Sequence, residues 1–482
     1  MSEGRGNQGP RGLMIRSDGF GARMGRTNPP TIPGSSMVRQ VAWLAFPVFI
    51  EQALLYLVGL SDTLLTGRYL SEEHLAAVTV ATYLLWFLGS LLTVVSVGAT
   101  ALVARLIGSN QPGSARRIGQ QAMLMAWVVG ILTAVLGASL ASTALHVLNL
   151  RGAAAGFAVQ YLHIVLAAAP LVACTTVGVA CLRGAGDTRT GMWVMILVNA
   201  INIAASWSLV VGFGPLPEMG FRGIAAGTAL AEAVGGVVVL ILLTRGRSGL
   251  RFEWRGLVPV WGEIRRVLRV SLPAAGESLT SIACQLWFLG LINRLGPTAT
   301  AAHGVAIRCE ALAFLTITAF SIAASTLTGQ YLGAGRPDRA ARAGRAAWAL
   351  GVVVLTGLGV VLYLQADSLF ALFLGGRQPP VSAMGVPVLR IVAFAMPALA
   401  TINVLNGALR GAGDTLWPWL FVGVGFFAVR LPLTYLFTGT EASGGFGWGL
   451  QGAWIAMFAD LHVRGVLVAA RFLQGGWKAA RV

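Results

Sequence analysis

The sequence predicts an all-α integral membrane protein, with twelve transmembrane helices in two pseudo-symmetric six-helix lobes. Three observations predict it. Hydrophobic residues make up 56% of the chain and charged residues 11%, whereas a soluble domain carries roughly a quarter charged residues. Apolar stretches of ~20 residues or more, long enough to cross a bilayer as a helix, recur along the chain. They are too long and too continuously apolar for the alternating strands of a barrel, the other way to satisfy every backbone group in lipid. Finally, the heptapeptide LRGAGDT occurs at 182–188 and again at 409–415.

In chain order, residues 1–38 are rich in Gly, Arg, Ser and Pro without an apolar core, the composition of a disordered tail. The N-terminal lobe, 39–245, holds spans at 39–65, 78–107, 120–145, 157–182, 190–212 and 223–244. A basic linker, 246–267, leads to the C-terminal lobe, 268–474, with spans at 268–293, 302–332, 344–366, 387–409, 417–437 and 451–473. Residues 475–482 form a short C-terminal tail. The duplication runs beyond the heptapeptide. Pro47 and Glu51 recur as Pro273 and Glu277, 226 residues later. LIGSNQPGSARR resembles YLGAGRPDRAAR, and GFRGIAA resembles GLQGAWI. Six spans is an even number, so the two units share one orientation, related by an axis along the membrane normal.

The net charge of +17 is distributed as topology rather than as a nucleic-acid surface. Of 35 Lys and Arg residues, 27 fall in the tails and even-numbered connections, 6 in the odd ones, and Arg308 and Arg430 inside spans. Positive residues stay cytoplasmic, so both termini and the linker are expected inside, in a multi-pass protein of the plasma or inner membrane. Cys174, Cys181, Cys284 and Cys309 all fall within spans without CxxC or metal spacing and are expected to pack. No nucleotide loop, metal spacing or catalytic cluster is present, so no enzyme, cofactor or bound metal is expected. The heptapeptide is expected to form a tight turn, with Gly184 and Gly186 ending one helix and Asp187 or Thr188 capping the next.

An ionised acid at mid-membrane costs roughly 2.5–3.5 kcal/mol or more and is a functional candidate by default. Glu51, Asp62, Glu232, Glu277, Glu310 and Asp460 qualify. Glu51 and Asp62 are eleven residues apart, about 20° past three full helical turns, so they share a face of the first helix at different depths. Asp460 has Arg464 one turn away as an i,i+4 partner. Arg308 and Arg430 are expected to balance buried charge in the second lobe, against Glu277 and Glu310, unless Glu277 stands free for a cation. Tyr83, Trp86, Phe87, Trp207, Trp287 and Phe288 are aromatics available to a cation-binding cavity.

In combination, SDTLLTGRYL, AAHGVAIR, SIAASTLTGQYLGAG, the two LRGAGDT copies and VRLPLTYL resemble the multidrug and toxic compound extrusion (MATE) family over about residues 39–474. The resemblance implies a secondary antiporter, expected to act as a monomer. It would export cationic or amphiphilic small molecules in exchange for inward H⁺ or Na⁺ by alternating access. It also implies a first-lobe cation site, onto which Asp62, Asn202, Ser206 and Thr228 match. Ser206 stands where that pattern has a second Asp, and a Na⁺ would be held by Asp62, Asn202 and Thr228. Glu277 matches a helix-seven Glu implicated in cation coupling, and Pro47, repeated as Pro273, a proline at which the first helix bends. The superfamily's flippases for lipid-linked substrates are the alternative, with a channel behind them. A phosphate-bearing cargo calls for a cationic cavity, whereas six acids against two bases here favour a cationic cargo.

Overall fold

The computed structural model describes residues 36–148, 150–214, 217–253, 257–375, 378–439 and 445–480; all but the last three residues of the expected disordered tail lie outside these. The apolar spans fold as helices because a helix satisfies its own backbone within one segment. In the first half these are α1 (Met37–Tyr69), α2 (Glu72–Gly108), α3 (Pro112–Val147), α4 (Ala153–Ala167), α5 (Ala169–Gly184), α6 (Thr188–Val211) and α7 (Phe221–Thr244). The second half holds α8 (Trp261–Arg294), α9 (Pro297–Gly333), α10 (Pro337–Leu364), the short α11 (Ala366–Leu374), α12 (Pro379–Ala412), α13 (Leu416–Gly423), α14 (Leu431–Thr438) and α15 (Gly449–Gln474). Eleven spans are long and apolar enough to cross a membrane; α4 and α5, bent by 52° at Ala168, make a twelfth. A π-helical segment, Val424–Arg430, joins α13 to α14. Both α1 and α8 run unbroken through Pro47 and Pro273.

Each half buries its own core. The two halves exchange their first helical turns: Val41, Leu44, Ala45 and Val48 of α1 pack into the second-half core, and Val267 of α8 packs into the first-half core. Every described hydrogen bond between the halves lies at the end of the bundle that carries Met37 and Gln474. There the Tyr331 hydroxyl donates to Gln40 (2.7 Å), Gln330 to the Gly184 carbonyl (2.9 Å), Thr326 to the Arg183 carbonyl (3.2 Å) and Arg105 to the Ala412 carbonyl (3.3 Å). The lobes are therefore latched at the terminal end.

The linker is more ordered than its composition suggests. Leu250 and Phe252 are buried, Arg116 pairs with Glu253 at 2.8 Å, and α8 has already begun at Trp261. The expected C-terminal tail folds back as well, with Trp477 fully buried and stacked on Phe472.

Candidate functional site

Both copies of the heptapeptide do more than turn. Gly186 and Gly413 take left-handed φ of +93° and +84° and end the helices, as the spacing predicts. Gly184 does not: it is helical, and a Cβ there would stand 2.8 Å from the Thr100 carbonyl of α2. Its equivalent, Gly411, lies against the Ser325 backbone of α9 in the same way. The glycine is needed because two helices cross backbone to backbone.

The heptapeptide arginines point inward. Arg183 pairs with Glu51, and Arg410 pairs with Glu277 at 2.7 Å while Asn406 donates to the same carboxylate at 3.1 Å. The heptapeptide aspartates reach the end of each lobe: Asp187 accepts from Arg247 at 2.9 Å, and Asp414 pairs with Arg471 at 2.9 Å. Each copy thus ties the first helix of its lobe to the last segment of that lobe. Asp187 also caps α6 through the Thr190 amide (3.0 Å) and accepts from Ser248 (2.8 Å). Burial pushes its carboxyl up, but the hydrogen bonds from Thr190, Ser248 and Arg247 outweigh that and hold it below the usual carboxylate range.

Several expectations for the second lobe are therefore corrected. Glu277 does not stand free, and its partner is neither Arg308 nor Arg430 but Arg410. Arg308 is exposed and balances no buried charge. Arg430 is buried and pairs with Asp460 at 2.6 Å, and Arg464 adds a two-point contact to the same carboxylate, each bond 2.7 Å. Gly425 makes room for this triad, since a Cβ there would strike Asp460 and Arg464. The π-helical turn that ends at Arg430 inserts an extra residue per turn and so resets the angle at which that side chain leaves the helix. Glu310 is buried with no described hydrogen-bond or ion-pair partner, but Arg430 is near enough to act on it electrostatically, as the expected charge balance has it.

In the first lobe Asp62 is 1% exposed. Its Oδ2 accepts from the Tyr161 hydroxyl at 2.6 Å and the Thr228 hydroxyl at 2.7 Å; its Oδ1 accepts from the Asn202 amide at 3.3 Å. Asn202 also donates to Thr228 at 2.9 Å, and its carbonyl accepts from Ser61 at 2.6 Å. Four helices, α1, α4, α6 and α7, meet on one carboxylate. No Arg, Lys or His is among its partners. Three of the matched residues, Asp62, Asn202 and Thr228, come together. Ser206 does not join them: its hydroxyl donates to the Ile224 carbonyl at 3.3 Å and packs against Gly227. Glu51 shares a helix face with Asp62 but belongs to the arginine clamp. Glu232, one turn beyond Thr228 on α7, has no described hydrogen-bond or ion-pair partner but lies near enough to Asp62 to interact with it electrostatically.

Three residues on the buried acids, Tyr161, Arg183 and Arg410, are not among those the sequence singles out. Tyr161 lies on α4 between Gln160 and Leu162, and its separation of 99 residues from Asp62 carries no local signal. Arg183 and Arg410 were counted as loop cations because they border turns. Their repetition within one residue of the offset between Glu51 and Glu277, 227 against 226, is the signal that pairs them.

The MatE family model matches this chain twice, over residues 47–208 and 273–436, one match in each half. A Thermotoga maritima protein described as a probable multidrug resistance protein NorM is 31% identical over 92% of this chain and 94% of its own length. Among solved structures, one titled as the outward-facing conformation of a multidrug resistance MATE family transporter superposes with a TM-score of 0.83 at 19% identity, covering 92% of this chain and 97% of that one. A Vibrio cholerae MATE transporter in its bent form gives 0.82 at 19% identity, covering 91% and 97%. At this identity the structural likeness is one of fold.

Proposed function

Because the chain belongs to the MatE family, we propose that it is a secondary antiporter of the plasma or inner membrane that exports cationic or amphiphilic small molecules, driven by an inward proton held at Asp62. One observation carries this reading. Asp62 is a buried carboxylate whose described partners are all neutral donors, so its charge is left for a mobile cation to compensate. The other buried carboxylates with described partners, Glu51, Glu277, Asp414 and Asp460, are each compensated by arginine.

The geometry favours H⁺ over Na⁺. A hard cation such as Na⁺ asks for several oxygen lone pairs turned towards it. Here the Tyr161 and Thr228 hydroxyls spend their hydrogens on Oδ2, and the Asn202 carbonyl is engaged by Ser61. A proton needs no such shell. It would settle on Oδ1, whose only described donor is the long contact from Asn202. Protonation there sets two hydrogens against each other and repels the Asn202 amide, while Oδ2 still holds α4 and α7. The proton thus loosens α1 from α6 and couples to lobe movement. With the terminal end taken as cytoplasmic, following the positive-residue asymmetry, the latch described above corresponds to the outward-open state. The proton would enter there, and cargo would leave. No arginine lines the Asp62 group, which disfavours a phosphate-bearing, lipid-linked cargo at that site.

The test is cation uptake into inverted vesicles with an imposed inside-acid pH gradient, run in Na⁺-free buffer, and separately with a Na⁺ gradient alone. Uptake driven by ΔpH and lost in Asp62→Asn is expected. Transport that answers only to the Na⁺ gradient would overturn the proton assignment.

A further inference from the structure

A cavity of about 310 Å³ opens at the terminal end of the second lobe, between the start of α10 and the end of α15. Arg342, Arg345 and Lys478 line it, with one acid, Asp338. Lys478 stands 3.8 Å from Asp338, and neither Arg342 nor Arg345 has a described partner. The cavity thus concentrates three cations against one carboxylate.

The duplication shows what fills the same place in the first lobe. Pro112 and Pro337 open α3 and α10, and Gly119 and Gly344 follow at the same step, each pressed by a phenylalanine ring, Phe252 or Phe472. By that alignment Arg116 corresponds to Ala341, Arg117 to Arg342 and Gln120 to Arg345. In the first lobe the linker residue Glu253 lies in this groove. Its carboxylate accepts from Arg116 at 2.8 Å and its carbonyl from Gln120 at 2.8 Å. Ala341 and Arg345 are lining residues of the cavity. The first lobe therefore supplies its own carboxylate to the groove. The second lobe offers an extra cation, because the segment after α15 brings Lys478 to the cavity where the first lobe brings Glu253.

We propose that this cavity binds the phosphate headgroup of an anionic glycerophospholipid, which takes the place that Glu253 fills in the first lobe. Both bordering helices are membrane spans that end here, and Leu473, 63% exposed on the rim, offers apolar surface beside the charges. A ligand with an anionic head and an apolar body fits that combination. Basic residues at the ends of spans draw anionic lipid; the cavity and the repeat make this a defined site rather than a diffuse field.

The test uses the full chain purified in neutral detergent, with lipid binding read by native mass spectrometry and by thermal unfolding. Phosphatidylglycerol is expected to bind and to raise the unfolding temperature, and phosphatidylcholine and inorganic phosphate are not. Arg342→Gln with Arg345→Gln is expected to weaken phosphatidylglycerol binding by about tenfold or more. Ala341→Glu, which would place a carboxylate in the cavity as Glu253 does in the first lobe, is expected to displace the lipid while all three cations remain. The double variant Arg116→Gln with Arg117→Gln, which removes the same charge from the first lobe, is expected to keep the lipid. Unchanged phosphatidylglycerol binding in both cavity variants would overturn the site. An equal shift with inorganic phosphate would overturn the lipid as its ligand.

Discussion

The two lobes are copies at their terminal ends and opposites in their outer halves. At the terminal end each has the same clamp: Glu51 with Arg183 and Asp187 with Arg247 in one, Glu277 with Arg410 and Asp414 with Arg471 in the other. Further out, the offset that carries Glu51 to Glu277 carries Asp62 to Phe288, which is fully buried with the Arg430 guanidinium 5.6 Å from its ring centre. An acid held by neutral hydroxyls in one lobe faces an aromatic and an Arg–Asp–Arg triad in the other. The difference separates two jobs that sequence alone runs together. Paired charges recur where both lobes need the same mechanical tie. Among the described residues, a buried carboxylate met by a full set of neutral donors and no arginine occurs once, at Asp62, whereas Glu310 of the second lobe is buried without such donors; this difference is why we propose the first lobe as the seat of the coupling proton.

The largest expected effect tests that asymmetry directly. Asp62→Asn should reduce ΔpH-driven uptake to background while the protein remains folded, because an amide keeps the shape and removes the charge. If Glu277→Gln alone abolished uptake and Asp62→Asn did not, the coupling would belong to the second lobe. Next in size, Asp460→Asn leaves Arg430 and Arg464 buried without their carboxylate. Removing one partner of a buried ion pair costs about 3–5 kcal/mol, so a large loss of thermal stability in detergent is expected, with no counterpart in any first-lobe substitution at Thr228 or Asn202.

Arg183→Gln and Arg410→Gln sharpen the other half of the comparison. Each should cost roughly 2 kcal/mol or more, and by similar amounts if the clamps are true equivalents. Each should also raise labelling, at the terminal end, of a cysteine placed at Ser325, as the latch loosens. A loss in one variant and none in the other would show that only one clamp bears load.

The smallest effect concerns Asp187, which the first-lobe clamp uses as both cap and ion-pair partner. Its folded-state pKa lies below the unfolded value of about 3.9. Its contribution is therefore fully present above that unfolded value and is lost as pH falls through the folded pKa. Asp187→Asn, which keeps the cap but removes the charge facing Arg247, should cost about 1 kcal/mol or less at neutral pH and flatten the acid limb of stability below about pH 4, measured by thermal unfolding across pH. An acid limb unchanged from the parent would remove Asp187 from this account.

Much of the architecture was legible because it is written locally. A span of ~20 apolar residues dictates a helix in lipid whatever surrounds it, and the duplication leaves matching residues at a nearly constant offset, 225 to 227 residues for the prolines, glutamates and heptapeptide. Asp62, Asn202 and Thr228 could be matched from motifs. Ser206 could not be excluded that way, because its position on α6 is compatible with the site and only its bond to the Ile224 carbonyl removes it. The bent pair α4–α5 appears in the sequence as one long apolar run, and nothing along the chain near Tyr161 on α4 points to Asp62, 99 residues away.

By itself, the sequence determined the class of protein, the number of spans, the two-lobe repeat and the list of buried acids, since each follows from composition, length or spacing along the chain. Only the tertiary structure decided which of those acids is compensated. Arg183 and Arg410 stand 132 and 133 residues from the glutamates they neutralise, and Tyr161 reaches Asp62 from a different helix. The interaction of two charges falls with their separation in space and rises as water is excluded. Neither quantity is fixed until the helices pack.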